Sequence, residues 1–140
     1  MVKTLESEVT KTQLQNLDEY LSILEKLRHY NLQEFTGDPE RYGSAERFLL
    51  ISIEAINDIA RQVIADNELG TVNNSSDIPA LFEENGYMSG EQTKKWLGLI
   101  EFKDRIENDD HDIDHVEVHA FLQNSLSDLR QMQRIVTMFI

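Results

Sequence analysis

The sequence predicts an all-α, up-and-down bundle of four to five helices that dimerises through its helices. Apolar residues recur at three- and four-residue steps over long segments, as one face of a helix requires. No segment alternates with a period of two for long, and 2 prolines and 6 glycines in 140 residues leave room for long helices. Short loops place consecutive helices antiparallel. We expect one domain over residues 1–140.

The first helix is predicted from about Thr4 to Tyr30. Leucines repeat along one face of this segment, at positions Leu14, Leu17, Leu21, Leu24 and Leu27. The stretch 32–43 breaks the pattern. Within it, Asp38 and Pro39 are typical of a helix N-cap followed by proline at the first helical position.

The second helix is predicted from about Ser44 to Asp66 and is apolar around most of its circumference. Its apolar residues are Phe48, Leu49, Ile51, Ile53, Ile56, Ile59, Ala60, Val63 and Ile64. A helix of this kind is either central in its own bundle or shared between a core and an interface. We favour the interface, and this excess of apolar surface is our reason to expect a dimer, whose two-fold interface would be isologous. Leu69-Gly70 is the predicted end of the helix.

Three further helices follow. A short one is predicted to start at 77–79, where proline follows Asp-Ile, and to end at Asn85-Gly86. Ser89 and Gln92 form a capping-box pattern that opens the next helix. The segment 114–117 carries a second cap signal before the final helix. That helix has an apolar stripe at Val118, Leu122, Leu126, Leu129, Met132 and Val136.

Composition excludes several classes of site. The chain has no cysteine, which removes disulfides, cysteine zinc sites, iron–sulfur clusters and cysteine nucleophiles. No apolar run approaches the roughly 20 residues of a transmembrane helix, and residues 1–8 lack the apolar centre of a signal peptide. We expect a cytoplasmic protein without a cofactor. A net charge of −13 disfavours RNA as a partner, so any nucleic-acid role must rest on a local basic cleft or a basic partner.

The segment 101–115 is the one with unusual chemistry, because two cations and two histidines lie among many acidic residues. Asp110, Asp112 and Asp114 have the spacing that begins an EF-hand. An EF-hand also needs glycine at loop position six and glutamate at position twelve. His115 and Phe121 stand there, so the EF-hand is excluded.

Three interpretations of this segment compete. His111, His115 and His119 could ligate zinc or nickel, since the last two share a helix face. Alternatively, the acidic residues form a solvated loop that caps the final helix. The third interpretation is an acid–base ribonuclease site, in which Arg105 stabilises the phosphorane charge and His111 moves the proton.

The sequence resembles the HepT-like family of the HEPN superfamily over nearly its full length. The fragments that carry the resemblance are LDEYL at 17–21, LEKL at 24–27, FTGDP at 35–39, SIEAINDIA at 52–60, FLQN at 121–124 and LSDLR at 126–130. The resemblance implies a helical homodimer. It also implies a metal-independent ribonuclease toxin that pairs with an MntA-like nucleotidyltransferase antitoxin. The family motif is Arg, four residues, His, any residue, Tyr, placed at the dimer cleft, and the antitoxin adenylylates the Tyr.

Carried over without a gap, the resemblance predicts a degenerate site. Ile113-Asp114 fixes the register and places Lys103 at the Arg position, Asn108 at the His position and Asp110 at the Tyr position. Asparagine cannot titrate, and lysine lacks the planar fork of arginine for phosphate. Asp110 has no phenol, and its charge opposes an RNA phosphate.

A shifted register restores part of the motif. Arg105 and His111 then satisfy the looser superfamily spacing of four to six residues, but Ile113 stands in place of the tyrosine. We prefer the ungapped register, because the shifted one requires the helix end to re-route. The chain is therefore expected to be a dimeric interaction module with a degenerate site. The alternatives are an active ribonuclease toxin that uses Arg105 and His111, a regulatory or substrate-binding partner of a nucleotidyltransferase, and a metal-binding protein.

Overall fold

The computed structural model describes residues 2–108 and 113–140, with side chains from residue 8 onward in the first range. These residues form six helices and no strand: α1 Val2–Leu27, α2 Leu32–Thr36, α3 Pro39–Asp66, α4 Asp77–Glu84, α5 Gly90–Glu107 and α6 His115–Thr137. The all-α class is confirmed. The helix that the sequence did not predict is α2, which has five residues. No helix in the described part of the chain combines the length and apolarity that a membrane crossing requires.

The structure corrects the region between the first two predicted helices. α1 ends at Leu27, and a separate helix, α2, follows within the stretch where the apolar pattern breaks. A capping box sets its start: the Asn31 side chain accepts from Glu34 N at 2.8 Å, and Glu34 Oε1 accepts from Asn31 N at 3.1 Å. α3 begins at Pro39 rather than near residue 44. Its cap is Asp38, whose Oδ1 accepts from Glu40 N at 2.9 Å.

α3 is the centre of the bundle. It packs against α1, α2, α4, α5 and α6, and its buried residues are Ala45, Leu49, Ser52, Ile53, Ile56, Asn57, Ile59, Ala60, Val63 and Ile64. The chain's own helices therefore cover most of its circumference. α3 is thus central in its own bundle, and the homodimer stays a prediction.

The end of α3 also differs from the prediction. Asn67 is the C-cap, and Glu68 lies in the left-handed region with φ 51°. Leu69 N donates to Ile64 O at 3.0 Å, as in the Schellman motif. Glu68 thus occupies the position expected for glycine. Gly70, with φ 143°, belongs to the turn that follows.

The caps and the apolar stripe of the last helices are confirmed. Ser89 Oγ accepts from Gln92 N at 3.1 Å, and Gln92 Oε1 accepts from Ser89 N at 3.0 Å. Asp114 Oδ1 accepts from Glu117 N at 2.8 Å. All six predicted stripe residues of α6 are buried, where this helix packs between α1 and α3.

Two polar links tie the helices together. Trp96 Nε1 of α5 donates to Asn57 Oδ1 of α3 at 2.9 Å, and both side chains are buried. Arg130 of α6 lies 2.8 Å from Asp18 Oδ1 and 2.9 Å from Glu25 Oε1, both on α1. The first link joins the central helix to the helix that leads into the candidate site.

Candidate functional site at the junction of α5 and α6

Lys103, at the family's Arg position in the ungapped register, is enclosed by carboxylates. Its Nζ lies 2.8 Å from Glu107 Oε1, one turn further along α5, and its side chain is only 16% exposed. Glu54 of α3 hydrogen-bonds to the same Glu107 carboxyl group. When both carboxylates are ionised, this three-residue cluster carries a net negative charge.

The two carboxyl groups titrate in opposite directions. Burial raises the pKa of Glu54, and the hydrogen bond to Glu107 raises it further. The hydrogen bond from Lys103 lowers the pKa of Glu107. As pH falls, the shared proton therefore settles on Glu54, because Glu107 is the carboxylate that Lys103 stabilises.

Arg105 forms an ion pair across the two helices of the junction. Its Nη2 lies 2.9 Å from Glu117 Oε2 in the first turn of α6, and the side chains are 40% and 42% exposed. Such a pair contributes little to stability. It does neutralise the guanidinium group, so a phosphate would have to displace Glu117 in order to bind Arg105.

The remaining motif positions lie beyond the end of α5. Asn108 is the C-cap of α5, is exposed, and donates from its backbone N to Asp104 O at 3.0 Å. Asp110 and His111 lie outside the described residues, so both registers stay predictions. Ile113 packs against the hydrophobic core. In the shifted register this anchored apolar side chain stands where the family has tyrosine.

His115 contacts two α3 residues that were not among the site residues predicted from the sequence. Its ring stacks on Tyr42 with 3.5 Å between centroids and 18° between planes. Its Nδ1 lies 3.8 Å from Glu46 Oε1, is shielded from solvent, and has no hydrogen-bond partner among the described residues. On α3, Glu46 follows Tyr42 by four residues and Glu54 follows Glu46 by eight, so the three side chains lie on one side of the helix. This row of polar side chains on α3 was the signal available in the sequence.

His119 fastens α6 to the α1–α2 connection. Its Nε2 lies 3.1 Å from Tyr30 O, and its ring centroid is 5.2 Å from that of Phe35. Within the two described ranges, no three His, Cys, Asp or Glu side chains group as metal ligands would. His111, the third ligand of the zinc or nickel hypothesis, lies outside those ranges, so that hypothesis stays untested.

Comparison with known proteins identifies the family. A family model described as ribonuclease HepT-like matches residues 17–135. The chain belongs to the HepT-like ribonuclease family. No curated protein matches the chain in sequence.

Solved structures share the HepT-like fold at low identity. A toxin–antitoxin complex with AMP-PNP has a TM-score of 0.82 at 17% identity, covering 94% of this chain and 98% of that one. A tri-AMPylated HEPN toxin of Shewanella oneidensis in complex with MNT antitoxin has a TM-score of 0.82 at 16% identity, covering 93% and 97%. A tyrosine-to-alanine mutant described as toxin–antitoxin MntA-HpeT has a TM-score of 0.81 at 17% identity, covering 93% and 98%.

The chain therefore has the HepT-like fold. Ribonuclease chemistry needs a positive group that is available to the phosphate. Both candidate cations in this chain, Lys103 and Arg105, already contact carboxylates.

Proposed function

We propose that this HepT-like protein is a dimeric interaction module of a toxin–antitoxin system, with a degenerate ribonuclease site, acting in the cytoplasm. The observation that supports the proposal is the neutralisation of both cations at the junction. Lys103 contacts Glu107, which Glu54 also contacts, and Arg105 contacts Glu117.

The physical argument concerns the phosphorane intermediate of RNA cleavage. Its additional negative charge must be met by a preorganised cation. Lys103 meets a carboxylate at 2.8 Å and is largely buried, and Glu54 adds a second negative group beside it. An incoming phosphate would thus be repelled by Glu54 and Glu107 before it reached Lys103, which also lacks the fork geometry of arginine.

The proposed partner is an MntA-like nucleotidyltransferase. Complexes of that kind are the solved structures whose fold this chain shares. In the ungapped register the position that the antitoxin would adenylylate is Asp110, which has no phenolic oxygen. The partner would then bind to the surface of this protein without modifying residue 110.

A restoration experiment tests the degenerate site. A five-site variant combines Lys103→Arg, Asn108→His and Asp110→Tyr, which rebuild the family's side chains in the ungapped register, with Glu54→Gln and Glu107→Gln, which remove the two carboxylates. We expect the unmodified protein to leave RNA intact in the presence of EDTA, and the five-site variant to gain cleavage. The matched control carries Lys103→Arg, Glu54→Gln and Glu107→Gln, because it frees the cation without supplying an acid–base group.

The competing function is an active ribonuclease that uses Arg105 and His111. One observation favours it: Arg105 is 40% exposed, so its ion pair is open to competition. If the unmodified protein cleaves RNA without metal, and His111→Ala or Arg105→Gln abolishes cleavage while Arg47→Gln does not, the degenerate-site proposal is wrong.

A further inference from the structure

An open groove of about 730 Å³ runs between the second half of α1 and the middle of α6. Arg28 and His29 line it from the end of α1, and Arg130 and Arg134 line it from α6. Glu25 is the single acidic residue in the lining. In a chain with a net charge of −13, this lining is locally basic.

The arginines of this groove are distinctive because two of them have no ion pair with any described residue. The chain has seven arginines, all with described side chains. Four are paired with carboxylates, namely Arg41, Arg61, Arg105 and Arg130. Of the three with no carboxylate within ion-pair distance in the described residues, Arg28 and Arg134 lie in the groove and Arg47 lies on α3.

The walls of the groove are held in place by contacts within the bundle. Arg130 is fixed between Asp18 and Glu25 at 2.8 and 2.9 Å. Gln123 Nε2 of α6 donates to Arg28 O at 2.7 Å and so anchors the chain at the end of α1. Arg28 and Arg134 are exposed, so their guanidinium groups can reach a ligand.

We propose that this groove binds the phosphate groups of single-stranded RNA. Guanidinium groups bind phosphate through two parallel hydrogen bonds, and the rest of the lining adds an imidazole, two glutamine amides and a serine hydroxyl. In the described residues, no Phe, Tyr or Trp side chain lines the groove to stack on a base. The contacts are therefore to the backbone and independent of base sequence.

An acidic peptide fits the same groove less well. A docked peptide gains most of its affinity from apolar or aromatic anchors in a pocket. Leu126 is the single apolar residue of the lining, and it is 2% exposed. A second copy of this chain fits poorly as well, since a two-fold interface centred on the groove would bring two basic linings together.

The negative charge of the whole chain opposes RNA binding, but salt limits the distance over which that charge acts. At physiological salt, charges more than about 8 Å apart are largely screened, so the basic lining decides the contact itself. Binding should be weak and strongly salt-dependent. The groove proposal does not depend on the proposed function. Gln123 of the groove lies about 12 Å along α6 from His115 of the candidate site, at 1.5 Å per residue, and RNA binding is measured without cleavage.

The test is fluorescence anisotropy of a labelled oligouridylate with the full chain, from low to rising salt. We expect the double variant Arg28→Gln, Arg134→Gln to bind about tenfold more weakly, and its salt dependence to fall by about 1.4 in log–log slope, the value for two phosphate contacts on a single strand. The control is Arg47→Gln. Arg47 also has no ion pair with a described residue but lies outside the groove, so this variant should bind like the parent.

Equal weakening in the groove variant and in Arg47→Gln would overturn the proposal, because it would show a general charge effect. So would tight binding of a neutral methylphosphonate oligonucleotide, or a labelled polyglutamate that binds better than the RNA. Thermal unfolding of each variant followed by circular dichroism checks that the bundle is intact. If the double variant unfolds early, Arg28→Lys with Arg134→Lys should keep the salt slope and most of the affinity.

Discussion

Two parts of α5 differ in the contacts that they make. In the central segment 96–102, four side chains are buried: Trp96, Leu99, Ile100 and Phe102. Trp96 also donates a hydrogen bond to Asn57 of α3. In the terminal segment 103–107, Lys103 and Arg105 form ion pairs near or at the surface. Ion pairs of this kind contribute less to stability than a buried core does, so Lys103 and Arg105 can change without loss of the HepT-like fold.

The largest effect is expected in the central segment of α5. Asn57→Ala removes the acceptor of Trp96 Nε1 at 2.9 Å and leaves a buried donor unpaired, which should lower the free energy of unfolding by about 2–3 kcal/mol. Urea unfolding followed by circular dichroism measures it. Asn124→Ala, at an exposed position of α6, is the control and should stay within about 0.5 kcal/mol of the parent. Equal stability of both variants would show that the Trp96 hydrogen bond does not hold α5 in place.

A smaller effect is expected in the terminal segment. The side chains of Arg105 and Glu117 are 40% and 42% exposed, so Arg105→Gln should lower the free energy of unfolding by less than about 1 kcal/mol. A double-mutant cycle with Glu117→Gln isolates the pair. A coupling energy well above that bound would mean that this ion pair is structurally important, contrary to the contrast between the two segments.

The smallest effect, and the opposite sign, is expected at Glu54. Because its pKa is raised above the ordinary value of 4.5, its contribution to stability is present at low pH and is lost as pH rises through the folded-state pKa. Glu107, with a lowered pKa, has the opposite dependence. Glu54→Gln should therefore stabilise the protein at neutral pH, by less than about 1 kcal/mol.

The measurement for Glu54→Gln is the midpoint of thermal unfolding between pH 4 and pH 8. The gain over the parent should shrink toward acid pH, where Glu54 of the parent is protonated and resembles glutamine. Glu19→Gln, at an exposed position of α1, serves as the control. A gain that grows toward acid pH would contradict the assigned direction of the Glu54 pKa.

The sequence predicted the elements whose signals are local. Ser89 and Asp114 were identified as caps because the cap and its partner lie three residues apart. α2 was missed because five residues are too few for a periodicity to register. For α3, periodicity shows which residues are apolar, but not which helices cover them or whether those helices come from the same chain.

The candidate site was predictable only in part. Lys103 and Arg105 were identified as the relevant cations, but their surroundings were not. Glu54 lies on α3 and Glu117 on α6, and no spacing within the segment 101–115 shows which helices pack beside it. The charge that a phosphate would meet therefore depends on tertiary contacts. Asp110 and His111, which distinguish the two registers, lie outside the described residues.

The pairing of the first helix with the last has a consequence for biosynthesis. Arg130 binds Asp18 and Glu25, more than 100 residues earlier in the chain. Contacts so distant in sequence form late. While the ribosome is still translating, α1 and α3 can associate, but the apolar surface that α6 will cover stays open to water or to chaperones. The core closes only after the last helix has been synthesised.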